Sequence, residues 1–223
     1  MRMKSKLYTL LICTLLLTGC GEQIAPPTTT PPEAQTDRSL FTGIPCAAPC
    51  WHGLEVGRSA ESEVISTLQK LNYVEQDTIQ VSRSLSGTEI TADCISSAKE
   101  CLKFDVANDL LTKMVVSLNY DVRVDEAIEH LGEPHYLGVV AIEGETFACE
   151  VYMVWRNSGL VLASPVAPNR EEAAKYCDVV RDTGKVPSSL LIAEARLISG
   201  VELVTLLTSS SELFGFSGTL ADQ

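Results

Sequence analysis

The opening of this chain constrains the rest of it most. Arg2, Lys4 and Lys6 precede an apolar run of 11 residues, Leu7 to Leu17, which ends on Thr18-Gly19-Cys20. A basic segment, a short apolar segment and small residues before a cut are the three parts of an export signal. The run is short for a membrane span, which takes about 20 apolar residues, and no later stretch of the sequence is long and apolar enough to serve as one. Export into an oxidising compartment turns cysteines into staples. Of the eight, Cys13 leaves with the signal and Cys20 stands at the cut; Cys46, Cys50, Cys94, Cys101, Cys149 and Cys177 remain. An even number in an exported domain reads as three disulfides. The favoured scheme is Cys46–Cys50, Cys94–Cys101 and Cys149–Cys177: two local bridges and one that closes a longer loop, where the entropic gain is larger.

Leu17-Thr18-Gly19-Cys20 resembles the bacterial lipoprotein signal, the lipobox. That resemblance implies a Cys20 that is acylated (diacyl, palmitate-type) and becomes the new N-terminus, and so a protein held on the outside of a bacterial cell membrane by its lipid. Several chains at about 0.8 kcal/mol per buried CH2 make such an anchor stable. Removing residues 1–19 takes three of the 17 basic residues and none of the 29 acidic ones, so the remaining chain carries a formal charge of −15. A surface that acidic excludes nucleic acid and an anionic lipid surface as natural partners. The sequence divides into a signal peptide (1–19), a lipidated Cys and Pro/Thr-rich tether (20–38), a first α+β unit (39–118), a second with a helical insertion (119–207) and a flexible tail (208–223). The tether's Pro26-Pro27-Thr28-Thr29-Thr30-Pro31-Pro32 favours extended polyproline II.

Beyond the tether, Ser59 to Leu71 reads as a helix. Ser59 is its N-cap, Glu61 and Glu63 lie in its first turn, and Val64, Leu68 and Leu71 form its apolar stripe. Short strands follow at Thr78–Ser82, Glu89–Ile95, Cys101–Val106 and Leu110–Leu118, with turns at Ser96–Glu100 and Ala107-Asn108-Asp109. The order then restarts. Val124 to Leu131 reads as a helix stopped by Gly132-Glu133-Pro134. It precedes strands at Tyr136–Ile142, Phe147–Trp155 and Leu160–Ser164, with a turn at Glu143-Gly144-Glu145. In the second of these, Phe147, Cys149, Val151, Met153 and Trp155 share a face. A shift of 63 aligns Glu63, Ile65, Leu68 and Tyr73 with Glu126, Ile128, Leu131 and Tyr136, a weak internal repeat. Asn169-Arg170-Glu171-Glu172 starts a further helix through about Val180. Leu190–Ile198 and Val201–Leu207 read as strands, the first of them open to a helical reading.

Pro45-Cys46-Ala47-Ala48-Pro49-Cys50-Trp51-His52 is the stretch richest in chemistry. Cys46, Cys50 and His52 could ligate a metal, or the two cysteines could form a redox pair, but the spacing fits neither a C-x2-C knuckle nor a C-x-x-C-H haem signature. A structural disulfide with Trp51 beside it is the plainer reading. His130 and His135 bracket a helix stop, so they share no helical face. The sequence carries no nucleophile elbow, phosphate-binding loop, dinucleotide fingerprint or H-E-x-x-H. It therefore implies no catalytic residue, no enzymatic activity and no cofactor.

Val124-Asp125-Glu126-Ala127-Ile128 running into Leu131-Gly132-Glu133-Pro134 and a strand meander resembles the small SmpA/OmlA (BamE) lipoproteins. The doubled arrangement resembles the β-lactamase-inhibitor-protein-like fold. These resemblances imply an α+β fold, with short helices packed on one face of an antiparallel sheet in two tandem helix-plus-meander repeats stapled by disulfides, and a role in binding proteins. The expectation is a lipid-anchored extracytoplasmic protein-binding or structural envelope protein that offers a sheet face to an envelope protein partner; an exposed apolar patch opposite the helices would favour it. The alternative is a ligand- or metal-binding lipoprotein that uses Cys46, Cys50 and His52.

Overall fold

The computed structural model describes residues 37–95, 100–142, 148–209, 212–215 and 219–220. The export signal, Cys20, the tether up to residue 36 and the turns at 96–99 and 143–145 lie outside the described residues.

The chain enters through a one-turn helix, α1 (Ser39–Thr42), and a short ribbon of β1 (Cys50–Trp51) with β2 (Leu54–Glu55). Helix α2 (Glu61–Leu68) starts at Ala60 rather than at the expected Ser59 cap. Ser59 Oγ instead accepts the Glu55 N–H at 3.1 Å, and the Glu63 carboxylate reaches back to the Ala60 N–H at 2.8 Å. A meander follows: β3 (Gln80–Ser84), β4 (Gly87–Ala92), β5 (Leu102–Ala107) and β6 (Leu110–Arg123). Asn108 and Asp109 join β5 to β6 at φ 53° and 62°, the left-handed pair that a two-residue hairpin needs and that these residue types tolerate.

Helix α3 (Val124–Leu131) continues directly from β6 and stops at Gly132, φ 76°. Next come β7 (Tyr136–Ile142), β8 (Ala148–Trp155) and β9 (Leu160–Ala163). Helix α4 (Arg170–Thr183) begins where Asn169 accepts the Glu172 N–H at 2.9 Å and ends at Gly184 in the left-handed region. The chain closes with β10 (Val186–Pro187), β11 (Leu191–Ile198), α5 (Gly200–Ser209), β12 (Glu212–Gly215) and β13 (Thr219–Leu220).

One nine-stranded antiparallel sheet organises the chain, in the order β12-β7-β8-β9-β11-β6-β5-β4-β3. Its centre is the long β6–β11 pairing, Arg123 opposite Leu191 through Lys113 opposite Ile198. On the inner face, Leu102, Phe104, Met114, Val151, Met153 and Leu197 pack with Val64 and Leu68 of α2, Val124 and Ala127 of α3, and Ala173, Cys177 and Val180 of α4. Each fully buried aliphatic side chain contributes about 1.5–3 kcal/mol. The fold class is therefore α+β, with short helices and an antiparallel sheet.

Other expectations change as well. Val201–Leu207 is not a strand: it lies within α5, whose Leu203 and Leu206 pack on the outer face against Tyr152, Val154, Val161 and Ile198. The helices are thus not confined to one face, because outward Tyr152, Val154, Val161 and Ile198 are apolar and need cover. In addition, four residues of the expected tail form β12, which pairs with β7 from Glu212 opposite Val139 to Gly215 opposite Tyr136. Gly138 in β7 answers to the same outer layer: the Tyr152 ring occupies the space where its Cβ would be.

The cysteines pair as Cys46–Cys50, Cys94–Cys101 and Cys149–Cys177, with Cα separations of 5.6, 5.8 and 6.6 Å. The third fastens α4 to β8 and is fully buried. Among the described residues no helix is long and apolar enough to cross a membrane.

Candidate functional site

Two places stand out on this scaffold. The first is the N-terminal loop, which holds the cysteines and the histidine singled out in the sequence. Trp51 is buried and packs on Phe104 of the inner core, ring centroids 5.7 Å apart. This fixes the loop to the sheet, and the Cys46–Cys50 bridge closes it. His52, at φ 49°, turns its ring edge-on to Trp51. Its Nε2 lies 3.0 Å from Asp37 Oδ2.

Asp37 is the hub. Its carboxylate also accepts from Trp51 Nε1 at 3.0 Å, from the Tyr73 hydroxyl at 2.7 Å and from the Ser39 N–H at 2.9 Å. Burial pushes this carboxyl up, but the hydrogen bonds from His52, Tyr73 and Ser39 more than reverse that and hold it well below the usual carboxylate range. Burial and the adjoining Asp37 charge drive the Tyr73 phenol far upward, and the same two causes raise Tyr120. Arg38 lies over the Tyr120 ring, 5.1 Å from its centroid, and binds Glu126 of α3 at 2.9 Å. The arrangement is a clamp: donors from three separate segments converge on one anion at the point where the expected tether meets the domain.

The structure thus engages Cys46 with Cys50 and His52 with Asp37, and leaves no two thiolates to share a metal with the ring. Among the described residues no three His, Cys, Asp or Glu side chains converge as a metal site. His130 and His135 are both exposed, one in the last turn of α3 and the other beyond Gly132. Sequence reasoning missed Asp37, which it assigned to the tether. The only local hint was an acid directly before the Arg38-Ser39-Leu40-Phe41 helix start.

The second place is the outer face of β3–β6. Register places Glu89, Thr91, Lys103, Asp105, Lys113 and Val115 there, opposite in-facing Ile90, Phe104 and Met114. Lys103 pairs with Glu89, and Lys113 Nζ lies 3.8 Å from Asp105. Beside this ladder a cavity of about 750 Å³ opens between the β3–β4 hairpin and the start of α5. The apolar patch that would have favoured the protein-binding reading is absent from this half among the described residues. The apolar outer surface belongs to β8, β9 and β11 and lies under α5.

The chain matches no family model, no curated protein sequence and no solved structure at a significant level.

Proposed function

We propose that this chain is a lipid-anchored, extracytoplasmic binding protein without enzymatic activity, held on a bacterial cell membrane through Cys20 and offering the outer face of β3–β6 to an envelope protein. The observation that carries the reading is the grooved face of that half of the sheet, uncovered by a third layer among the described residues and set on a domain stapled by three disulfides. The Asp37 clamp supports it only in that it fixes the N-terminal loop to the domain.

The doubled build also supports a recognition scaffold. We read the sheet as two helix-plus-meander repeats: α2 with β3-β4-β5-β6, and α3 with β7-β8-β9-β11, joined antiparallel through their last strands. Helices α2 and α3 keep the 63-residue spacing at both ends, Glu61 to Val124 and Leu68 to Leu131. The spacing fails beyond them, because Tyr73 lies in a loop before β3 whereas Tyr136 opens β7.

The test has two parts. Cys20→Ser should release the protein from the membrane fraction, and photo-cross-linkers at Thr91 and Val115 should capture the same protein while one at exposed Glu129, on the helix side, does not. Retention of Cys20→Ser on the membrane refutes the anchor, and absence of any position-dependent adduct refutes the binding face.

A further inference from the structure

The three disulfides are not alike. Of the six bonded cysteines, Cys46 is partly exposed and the other five are buried. Its bridge to Cys50 spans a sequence separation of 4, against 7 for Cys94–Cys101 and 28 for Cys149–Cys177. The chain-entropy gain from a bridge grows with the loop it closes, so by that measure this one adds least to the fold. Trp51, next to it in the chain, is also held without it: by packing on Phe104, by the bond to Asp37 and by the β1–β2 pairing.

A second feature is aimed at the exposed sulfur. The β1–β2 ladder pairs Trp51 with Leu54, and His52 and Gly53 form the two-residue turn between them, at φ 49° and 85°. The Gly53 N–H lies outside the ladder and donates to Cys46 Sγ at 3.3 Å. A disulfide sulfur is a weak acceptor and gains little from a donor. A thiolate gains much, because a hydrogen bond to the charged form favours it. The turn therefore sets a donor in place for reduced Cys46. Cys101 has the opposite surroundings: its Sγ lies 3.4 Å from the Ala92 carbonyl oxygen, an acceptor that would repel a thiolate.

We propose that Cys46–Cys50 is a redox-exchangeable pair that takes electrons from a dithiol through Cys46, while the other two bridges are structural. A thiolate of the dithiol attacks Cys46 Sγ, the accessible sulfur. The Cys46–Cys50 bond breaks, and Cys50 leaves as a thiolate that takes up a proton. The second thiolate of the dithiol then attacks its own partner sulfur in the mixed disulfide and expels Cys46 as a thiolate onto the Gly53 N–H. The dithiol ends as a disulfide, having given two electrons to the pair and its two protons to Cys50 and solvent. The reverse sequence reoxidises the pair. This exchange does not involve the β3–β6 face, and it gives the N-terminal loop two covalent states beside whatever that face binds.

The experiment takes the full protein, oxidised and native, with dithiothreitol as the dithiol. Alkylation quenches samples at intervals, and peptide mapping reads each cysteine separately. Cys46 and Cys50 should become labelled about tenfold faster or more than Cys94, Cys101, Cys149 and Cys177, with circular dichroism unchanged. Exposure of the bridge would suffice for that result, so single variants test the sulfur assigned and its donor. In Cys50→Ser at about pH 6, Cys46 should form a mixed disulfide with glutathione disulfide faster than an unstructured cysteine peptide does. In Cys46→Ser, buried Cys50 should react about tenfold more slowly than Cys46 or slower still. If either variant fails to fold, the partly reduced parent answers the same question by which sulfur carries the first glutathione adduct. Opening of all three bridges at one rate, first attachment at Cys50, or a Cys46 no faster than the peptide overturns the proposal.

Discussion

The two halves of the sheet solve the same problem in opposite ways. On both, the inner face is aliphatic and packed under helices. On the outer face, β7–β9 and β11 place Tyr152, Val154, Val161 and Ile198 and cover them with α5, whereas β4–β6 place Glu89, Lys103, Asp105 and Lys113 and leave them open. The second half is therefore a three-layer structure and the first a two-layer one. An apolar outward row requires a third layer, since water will not cover it without cost, whereas an ionic ladder needs none. The half that stability leaves open is the half proposed above as the binding face.

The largest break in this comparison should come from placing one charge on each outer face. Val154 is fully buried and Val115 is only partly so. Val154→Lys strands an ammonium under α5 and should cost about 4 kcal/mol or more, while Val115→Lys joins a charged ladder and should stay within about 1 kcal/mol. Urea denaturation of the two variants measures both. Equal losses would mean that the first half is as covered as the second.

The disulfides grade the halves next. Cys149–Cys177 closes 28 residues in the second half and Cys94–Cys101 closes 7 in the first. Chain entropy alone gives about 3.6 against about 2.4 kcal/mol. Replacing each pair with alanines should therefore lower the denaturation midpoint more for Cys149–Cys177, and its burial adds a packing loss in the same direction. A reversed order would show that the N-terminal half limits unfolding.

Acid should move the two halves in opposite directions. Asp37, hydrogen-bonded beside the first half, has a folded-state pKa below its unfolded value. Its stabilisation is present above about pH 4 and is lost as pH falls below that. Glu150, in β8, has a raised pKa, chiefly through burial and against the pull of Arg196. Its contribution is fully present below the ordinary carboxylate range and is lost as pH rises through its folded value. Asp37→Asn should cost roughly 2 kcal/mol at pH 7, with a deficit that narrows toward pH 3, whereas Glu150→Gln should be least harmful at neutral pH. Thermal unfolding from pH 3 to 7 reads both slopes, and parallel curves for Asp37→Asn and the parent would refute the clamp.

What the sequence revealed follows the same division. Leu102-Lys103-Phe104-Asp105-Val106 alternates because one face is open, so a period of two was visible and β5 was legible. In β8 both faces are buried, and the in-facing row through Cys149, Val151, Met153 and Trp155 could be read while the second layer over Tyr152 and Val154 could not. Val201 to Leu207 looked like a strand because its apolar residues are dense and partly β-branched. The helical pattern of buried Leu203 and partly buried Leu206 with exposed Val201 and Val204 means something only once there is a face to cover. Cysteine pairing was legible because two of the bridges are local. Asp37 was not, because its partners Trp51, His52 and Tyr73 lie 14, 15 and 36 residues away, and nothing in a polar tether end announces a long-range acceptor.

The smallest effect expected is also the most direct statement about the open half. Lys103 and Glu89 face solvent, with side chains 39% and 45% exposed. Such a pair gains little, because water screens it and two long side chains must be held still. Lys103→Met should change stability by less than about 0.5 kcal/mol. The matching change in the covered half, Arg196→Met, removes a guanidinium that bridges Glu150 and Glu194 where side chains are 18–27% exposed. It should cost roughly 1–2 kcal/mol, because two half-buried carboxylates lose their partner. Denaturation in low and high salt separates the cases: salt should erase the small Lys103 effect and leave most of the Arg196 effect. If Lys103→Met instead costs as much as Arg196→Met, the ladder is a structural element. If it costs nothing, the ladder's charges are free to be matched by a partner, as a binding face requires.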